Sequence, residues 1–292
     1  MTELASHGFS LDQCRRFYAE EIRFVSGGCP AELAAAYARV PRERFLGPPP
    51  WKIPVGNVFE PHGYQDTSEP RDLYHDIVVA LDPARQLNSA QPSIMMRLLV
   101  ALSLGAGARV VHVGCGVGYY TAILSERVGA GGSVVAIEAD AGLAARAAEN
   151  LADRPNVTVI HGDGACHAPQ GADAILVNAG ITHPPAVWLD GLAAAGVLVA
   201  PFHVGAQPEM REALALRLQR AGTDFRAALV CQLAIYPCTS QRDSEVQSQW
   251  NASVQSRSIL TLQSARTDRH PREASCIVHT ERFCVSARPW NR

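Results

Sequence analysis

Between residues 93 and 205 the chain alternates short apolar runs with longer segments whose apolar positions recur at helical spacing. The apolar runs are "RVVHVG", "SVVAIEA", "VTVIHGD", "ADAILVNAG" and "VLVAPF", and the helical segments are "SIMMRLLVALSL", "YYTAILSERVG", "AGLAARAAENLADR" and "AVWLDGLAAAG". Strands that are apolar at nearly every position and are separated by helices are typical of a parallel sheet covered on both faces. The pattern predicts a doubly wound α/β domain with its ligand crevice at the carboxyl ends of the strands.

The residues before this alternation have a different pattern. "SLDQCRRFYAEEIRFV" and "PAELAAAYARV" have helical spacing, with Ser10 placed as an N-cap and Pro30 in a first turn. Residues 41–70 are dense in proline and glycine and have no period, which predicts a loop wrapped over the core. We therefore expect residues 1–92 to form N-terminal helices and a lid loop.

Beyond residue 205 the pattern changes again. "EALALRLQRAG", "RAALVCQLAIYP", "SRSILTLQSA" and "ASCIVHTERFCVS" predict a β-rich C-terminal extension over residues 206–292, linked by polar loops. The ligand-binding core is thus predicted to span residues 93–205.

Composition excludes several classes of partner. The 292-residue chain has a formal net charge of −2 and no dense block of Lys or Arg, so we expect no nucleic-acid partner. No apolar run reaches the roughly 18 residues that cross a bilayer, and the first residues lack a secretory signal, so we expect a cytoplasmic protein without membrane contact. Eight cysteines without a repeated spacing predict reduced thiols.

The turn after the first core strand carries the clearest chemical signal. Gly114, Gly116 and Gly118 follow that strand and precede a helix, so the backbone can approach a ligand closely and offer it the free N–H groups of the helix. Glu138 ends the next strand, about 20 residues on, where a carboxylate accepts hydrogen bonds from ribose hydroxyls. The combination predicts a site for an adenosine-containing ligand.

Two such ligands fit the turn, and an ordinary structural turn is the remaining alternative. A dinucleotide usually requires G-x-G-x-x-G, whereas here the spacing is G-x-G-x-G and Tyr119 follows at once. S-adenosylmethionine has no pyrophosphate, and its amino-acid end can use the glycine backbone, so this methyl donor is favoured. Asp163 and Gly164 in "HGDG" are predicted to meet the adenine, and Asn178 ends the fourth strand at the crevice.

Several motifs together resemble the protein-L-isoaspartate O-methyltransferase family. They are "VPRERFLG", "LYHD", "NSAQPSIMMRLL", "GYYTAIL", "GDG", "ADAILVNAG" and "WLDGLAAAGVLVAPF", in order over about residues 30–205. The resemblance implies a Rossmann-like fold and the use of S-adenosylmethionine, with S-adenosylhomocysteine as product, to methylate the carboxylate of an altered aspartyl residue. The cofactor-binding residues predicted from the turn and the resemblance are Gly114, Gly116, Gly118, Tyr119, Glu138, Asp163, Gly164, Asn178 and Gln91.

One position departs from the family. The family's I-S-x-P element has a serine beside the methyl donor and the acceptor, and aligned on Pro92 that position is Ala90. Ser89 is adjacent, and it becomes a catalytic candidate if the loop shifts by one residue. The resemblance also implies that Tyr74 and Asp76 help to close a lid over the site.

The acceptor stays open between a peptide and a small metabolite, in a tailoring or an isoaspartyl repair reaction. A carboxylate acceptor is already ionised and needs placement more than a base. A phenol, amine or alcohol would need one, and His75 and His183 are the candidates. A module that binds S-adenosylmethionine without turnover is a further alternative, and the sequence leaves the oligomeric state open.

Two other groups of residues are interpreted as structural. His112 lies inside the first core strand and is predicted to be a core histidine. Cys276, His279 and Cys284, considered together with Cys231 and Cys238, do not have the spacing of a structural zinc site, so we predict no metal.

Overall fold

The computed structural model describes residues 8–55, 63–205, 212–238 and 240–290. They fall into two compact units, one ending at Met96 and the other beginning at Arg97. Within the described ranges, no helix combines the length and the apolarity needed to span a membrane.

The first unit begins with the two predicted helices, α1 (Leu11–Val25) and α2 (Ala31–Arg39). Ser10 caps α1 as predicted: its Oγ accepts from the Gln13 backbone N–H at 3.2 Å, while Gln13 Oε1 accepts from the Ser10 N–H at 2.8 Å. This reciprocal capping box satisfies two N–H groups that the helix leaves unpaired. Pro30 is the N-cap of α2 rather than a first-turn residue.

The prediction of an unstructured loop over residues 41–70 is wrong in part. The segment contains a 3₁₀ helix (Arg42–Phe45) and an antiparallel pair of strands, β1 (Trp51–Val55) and β2 (Gly63–Thr67). Four of the five β2 residues are exposed, so the strand has no apolar alternation to reveal it. Residues 56–62 of the predicted loop lie outside the described residues. The first unit also contains a 3₁₀ helix (Pro70–Leu73) and the short pair β3 (Ala80–Asp82) and β4 (Leu87–Asn88).

A fully buried arginine organises the irregular part of this unit. The Arg42 guanidinium donates to the carbonyl oxygens of Leu73 at 2.7 Å and Ile77 at 2.5 Å and to Ser89 Oγ at 3.1 Å. A further donation reaches the carbonyl of His75 at 3.3 Å. Loop carbonyls that could not be buried unpaired thereby obtain donors from one side chain.

The second unit contains one ten-stranded sheet and the predicted α/β alternation. Helix α3 (Pro92–Ala101) spans the division between the units and is followed by the elements of the second unit: β5 (Arg109–Val113), α4 (Tyr119–Val128), β6 (Ser133–Glu138), α5 (Ala141–Asn150), β7 (Val157–His161), β8 (Ala172–Val177), α6 (Ala186–Asp190), β9 (Leu192–His203), β10 (Glu212–Ala221), β11 (Asp224–Ala234), α7 (Ser244–Gln255), β12 (Ser264–Arg266), β13 (Cys276–His279) and β14 (Cys284–Ser286). Short 3₁₀ helices lie at Gly164–Cys166 and Ser258–Thr261.

The strand order is β13-β14-β12-β11-β10-β9-β8-β5-β6-β7. Strands β7, β6, β5, β8 and β9 are parallel, and the five strands from β10 onward are antiparallel to their neighbours. The β-rich extension therefore continues the central sheet instead of forming a separate one. The chain order reverses beside β5, and ligands of doubly wound sheets bind at that point.

Three details differ from the sequence prediction. Helix α6 has five residues instead of about eleven, because Leu192–Ala195 already belong to β9. Only the last two residues of the segment "SRSILTLQSA", Ser264 and Ala265, lie in a strand, and that strand continues to Arg266. Helix α7 was not predicted, because its sequence is polar and buries only Val246, Gln247, Trp250 and Ser253.

The buried arginine generates a stability prediction. Replacing Arg42 by methionine keeps the apolar stem but leaves the Leu73 and Ile77 carbonyls without their donor, so we expect the first unit to lose about 3 kcal/mol of unfolding free energy. Urea unfolding followed by limited proteolysis measures the loss. The exposed Arg44 provides the matched control, Arg44→Met. Equal unfolding midpoints for the two variants would contradict the assigned role of Arg42.

Candidate functional site

The glycine turn after β5 combines two kinds of glycine. A Cβ at Gly114 would lie 3.2 Å from the Asn178 carbonyl oxygen, and one at Gly118 would lie 2.7 Å from Leu151 Cδ1. Close packing thus accounts for these two residues. Gly116, with φ of +57°, has no described atom beyond its chain neighbours within 4 Å of the Cβ position, so this position faces open space. Of the three glycines, Gly116 is the one whose Cβ direction is open.

Glu138 is held against this turn at the end of β6. Its Oε2 accepts from the Gly116 N–H at 2.7 Å, and its Oε1 accepts from the Asp140 N–H at 3.1 Å. The half-buried carboxylate keeps unused lone pairs on both oxygens. It can therefore accept hydroxyl groups of a ligand while its position is fixed by two backbone donors.

The "HGDG" segment forms the turn after β7. Asp163 Oδ1 accepts from the Ala165 N–H at 2.9 Å, and its carboxylate is exposed. A Cβ at Gly164 would lie 2.4 Å from Val113 Cγ1, so packing against β5 requires the glycine there. Gly162 has no described atom beyond its chain neighbours within 4 Å of its Cβ position, and it is the more open glycine of this turn.

The Asn178 side chain has a buried oxygen without a hydrogen-bond donor among the described residues, whereas the Tyr119 ring is packed against a neighbouring ring. The Asn178 N–H donates to the Val113 carbonyl at 2.8 Å, and its buried Oδ1 has no hydrogen-bond partner among the described residues. A buried acceptor without a donor is costly, which marks Asn178 as able to receive one from a ligand. The Tyr119 ring is only 3 % exposed and packs edge-on against Tyr120, with 4.9 Å between the ring centroids. Its predicted contact with the cofactor stays a prediction.

The C-terminal extension holds the loop after β8. The Gly180 N–H donates to the Tyr236 carbonyl at 2.7 Å, and the Cys238 N–H donates to the Gly180 carbonyl at 2.7 Å. Trp250 Nε1 on α7 donates to the Thr182 carbonyl at 2.8 Å. Tyr236, Cys238 and Trp250 therefore hold the loop at this end of the sheet, which the sequence patterns did not indicate.

The extension also reaches the Asp163 turn. Ser240 Oγ donates to Asp163 Oδ1 at 2.9 Å. Nothing in the surrounding sequence distinguishes Ser240 from the other polar residues of its loop. Only the folded chain reveals this contact.

His183 lines a cavity of about 530 Å³ in this part of the second unit. Its Nδ1 lies 3.0 Å from Thr182 Oγ1, and Asp243 lies in the same cavity. Partial burial lowers the pKa of His183 from its ordinary value, and the Asp243 charge opposes this shift without cancelling it. The imidazole is therefore neutral at neutral pH and can accept a proton.

The other predicted catalytic residues lie in the first unit. Ser89 is buried, and its Oγ accepts from Arg42 and from the Val79 N–H at 3.0 Å. These hydrogen bonds indicate a structural role for the hydroxyl. His75 is exposed, with its Nδ1 4.0 Å from Glu21 Oε2. Ala90 has a φ of +56°, and its N–H donates to Asn88 Oδ1 at 2.9 Å.

Asp76 and Tyr74 hold backbone segments of the first unit in place. Asp76 accepts from the Ser93 N–H at 2.8 Å and from the amide of Gln91, an exposed residue, at 2.9 Å. The Tyr74 hydroxyl donates to Glu43 and accepts from the Arg42 N–H at 3.0 Å. Burial, followed by the Glu43 carboxylate, raises the pKa of Tyr74, so the hydroxyl stays protonated.

His112 has the environment of a core residue. Its Nδ1 lies 2.9 Å from Thr121 Oγ1, and complete burial lowers the pKa of His112 to about 3. The ring is neutral, as its place inside β5 suggested.

Cysteine and histidine side chains form a cluster in the extension that does not match the combination considered in the sequence. Cys276, His279 and Cys284 come together with His270, whereas Cys231 and Cys238 are not members. His270 was not considered, because its loop position six residues before Cys276 follows no ligand spacing.

Comparisons with known proteins agree with the fold and the turn. The chain matches the family described as protein-L-isoaspartate(D-aspartate) O-methyltransferase over residues 57–228. It is 34 % identical to a protein-L-isoaspartate O-methyltransferase of Leptothrix cholodnii over 68 % of this chain and 65 % of that protein. It is 33 % identical to protein-L-isoaspartate O-methyltransferase 1 of Rhodopseudomonas palustris over 73 % of this chain and 80 % of the relative.

Solved structures support the same fold at low sequence identity. A protein-L-isoaspartate O-methyltransferase aligns with a TM-score of 0.62 and 19 % identity over 92 % of this chain and 87 % of that one. A Plasmodium falciparum β-aspartate methyltransferase in complex with S-adenosyl-L-homocysteine aligns with a TM-score of 0.58 and 16 % identity, over 77 % of this chain and 98 % of that one.

The match does not extend over the full length of every relative. The chain spans 65 % of the Leptothrix protein and 52 % of a Thermotoga maritima protein-L-isoaspartate O-methyltransferase that is 30 % identical over 61 % of this chain. The matched region nevertheless includes the glycine turn, Glu138, the Asp163 turn and the loop after β8. The chain belongs to the protein-L-isoaspartate O-methyltransferase family.

Proposed function

We propose that this protein is an S-adenosylmethionine-dependent methyltransferase that O-methylates a carboxylate on a peptide. The observation that carries the proposal is the Glu138 carboxylate, fixed 2.7 Å from the Gly116 N–H at the reversal point of the sheet. Family membership supports the same activity, since the relatives are named as methyltransferases acting on an isoaspartyl carboxylate.

The residues of the crevice suit the methyl donor. Glu138 would accept from the ribose hydroxyls, and Gly116 would offer an open stretch of backbone to the amino-acid end. Asn178 Oδ1, which has no hydrogen-bond donor among the described residues, would accept a hydrogen bond from the ligand. Asp163 would accept a hydrogen bond from the adenine amino group beside the open Gly162. Gly114, Gly118 and Gly164 would contribute indirectly, by allowing the turns to pack closely.

The chemistry requires placement more than proton transfer. Bound S-adenosylmethionine supplies an electrophilic methyl group on a sulfonium. A carboxylate with a pKa of about 4 is ionised at neutral pH, so no residue of the chain has to deprotonate it. Cys115 within the glycine turn is no competing nucleophile, because burial and the Glu138 charge raise the pKa of its thiol.

An isoaspartyl residue is the acceptor that family membership favours, and Ala90 bears on this choice. The resemblance aligns Ala90 with a serine whose hydroxyl contacts the acceptor. Alanine has no hydroxyl, so this chain would orient the carboxylate with other groups. We expect a weaker discrimination between isoaspartyl and other peptide carboxylates for this reason.

Binding of S-adenosylhomocysteine by calorimetry tests the cofactor assignment. Glu138→Gln removes the charge and sets an amide donor near the hydroxyls and the Gly116 N–H, so we expect affinity to fall by about 10- to 100-fold. Glu149→Gln makes the same change at an exposed position of α5 and serves as the control. Equal affinities for both variants, or undetectable binding by the native chain, would refute the assignment.

Methyl incorporation into a peptide with one isoaspartyl residue tests the acceptor class. We expect incorporation that alkali releases as methanol, because methyl esters are base-labile whereas methyl ethers and methylamines are not. Ala90→Ser is expected to raise kcat/KM for this peptide by about tenfold or more, through a hydrogen bond to a charged acceptor. Ala106→Ser, at an exposed site, is the control. Alkali-stable incorporation would contradict carboxylate methylation.

A small-molecule methyltransferase using a histidine base is the second candidate, and the neutral His183 in its cavity favours it. The pH dependence separates the two. Under carboxylate methylation, the His183→Gln variant keeps most of its activity and its pH profile. With His183 as base, activity would fall only as the pH drops below the ordinary histidine range, because its pKa is lowered. His183→Gln would then lose about 10²- to 10⁴-fold in kcat on a phenol or amine.

A further inference from the structure

Four potential metal ligands meet at the outer edge of the sheet. The ligand atoms of His270, Cys276, His279 and Cys284 all lie within 4.8 Å of one another. Cys276 and Cys284 are buried, and both thiols are unbridged. In a tetrahedral zinc site, bonds of roughly 2.0–2.3 Å separate neighbouring ligand atoms by roughly 3.3–3.8 Å. Small side-chain rotations would bring the four atoms to these distances.

A bulge in β13 brings two of these ligands to one face. Cys276 and His279 are three residues apart, so a regular strand would point them to opposite faces. Here Cys276 pairs with Ser286 and His279 pairs with Cys284, and the register shifts by one residue between Cys276 and Val278. The extra residue reverses the alternation, so Cys276 and His279 share the face of Cys284. Spacing along the sequence concealed this arrangement.

His270 is oriented as metal-binding histidines are. Its Nδ1 lies 3.0 Å from the Asp268 carbonyl oxygen, and its Nε2 lies 3.8 Å from Cys276 Sγ. A backbone acceptor on one ring nitrogen fixes the tautomer and leaves the other nitrogen available to a metal. The Cys276 thiol accepts from the Glu273 N–H at 3.3 Å, a bond that stabilises a thiolate.

His279 supplies an independent indication of a ligand. Its Nδ1 is buried and has no hydrogen-bond partner among the described residues. Gln249 on α7 accepts from the His279 N–H at 2.8 Å and donates to its carbonyl at 3.1 Å, so two hydrogen bonds hold the backbone while the ring Nδ1 receives none from the described residues. A buried ring nitrogen of this kind is explained by a metal ion.

Arg266 is the cation nearest to the cluster, and its charge is balanced. Its Nε donates to His270 Nε2 at 3.1 Å. A metal ion bound to His270 Nε2 would replace this hydrogen bond. Its guanidinium lies 3.0 Å from Glu273 and 3.6 Å from Asp268. Two thiolates and two imidazoles around a divalent zinc ion sum to zero charge, so the site would not repel this paired arginine.

We propose that His270, Cys276, His279 and Cys284 bind one zinc ion that fastens the C-terminal strands. Two sulfur and two nitrogen ligands are a donor set that zinc occupies tetrahedrally, and four protein ligands leave no open position for catalysis. The ion joins the loop after β12 to β13 and β14. It thereby fixes residues 280–283, which line the same cavity as His183. The role is structural and does not depend on the proposed methyl transfer.

Metal analysis of the full-length chain, purified without chelators, is the first test. We expect about one zinc per chain, and after exchange with Co²⁺ the intense visible absorption of a tetrahedral cobalt–thiolate centre. A chelator should lower the unfolding temperature of the native protein, because metal binding contributes to folding. Zinc well below stoichiometry together with no cobalt spectrum would overturn the proposal, and so would a Cys276–Cys284 disulfide in the purified chain.

Variants then test the four ligands. Cys276→Ser should reduce zinc to about a tenth of an equivalent or less and abolish the chelator effect. Cys231→Ser, at another buried cysteine in β11, is the matched control and should keep its zinc. His270→Asn changes a loop residue outside any strand, so it reports on the metal even if a strand variant fails to fold. Full zinc in both His270→Asn and Cys276→Ser, or equal loss in Cys231→Ser, would overturn the assignment.

Discussion

The approach of two strand ends at Gly114 sets the position of the whole site. Strand β5 pairs with β6 on one side and with β8 on the other, so the helices that follow β5 and β8 leave the sheet in different directions. The ends of β5 and β8 stay in contact because Gly114 has no side chain to push the Asn178 carbonyl away. Glu138 then closes the turn from the neighbouring strand. A larger residue at 114 would therefore move the glycine turn and the loop after β8 together, and with them both halves of the crevice.

The C-terminal extension contacts two of the loops that follow the parallel strands. Its backbone pairs with Gly180, and its Ser240 hydroxyl is bonded to Asp163 at the other end of the crevice. Residues of the extension thus contact the loops that follow β7 and β8. The cavity beside His183 has walls from this same extension, with Asp243 and Phe283 among its lining residues. The residues proposed to bind the cofactor lie at the carboxyl ends of the parallel strands, whereas the extension supplies Asp243 and Phe283 to the neighbouring cavity.

The sequence predicted the parallel half of the sheet well. Its buried strands are continuous apolar runs, and the helices between them have apolar residues at helical spacing. It also located Glu138 and the glycine turn, since both follow directly from strand ends. It could not separate Gly116 from Gly114 and Gly118, because an open backbone and close packing both favour glycine. Contacts made across long stretches of chain, such as that of Ser240, left no local pattern. Helix α7 was missed because few of its residues are apolar. Spacing along the sequence did not reveal the cluster of His270, Cys276, His279 and Cys284, because the bulge in β13 changes which residues share a face.

The continuation of the sheet past β9 has a consequence for the folding of the chain. Strand β9 is buried along its last eight residues, and β10 pairs with seven of its residues, from Val197 to His203. During synthesis, the whole parallel core leaves the ribosome before β10 does. In that interval β9 is an open edge with a long apolar face, which can pair with another chain. The hairpin of β10 and β11 is local and closes quickly. Its strand β10 then pairs with the β9 edge and prevents that edge from pairing with another chain. Chains ending near residue 205 would carry the crevice residues of the core and still aggregate.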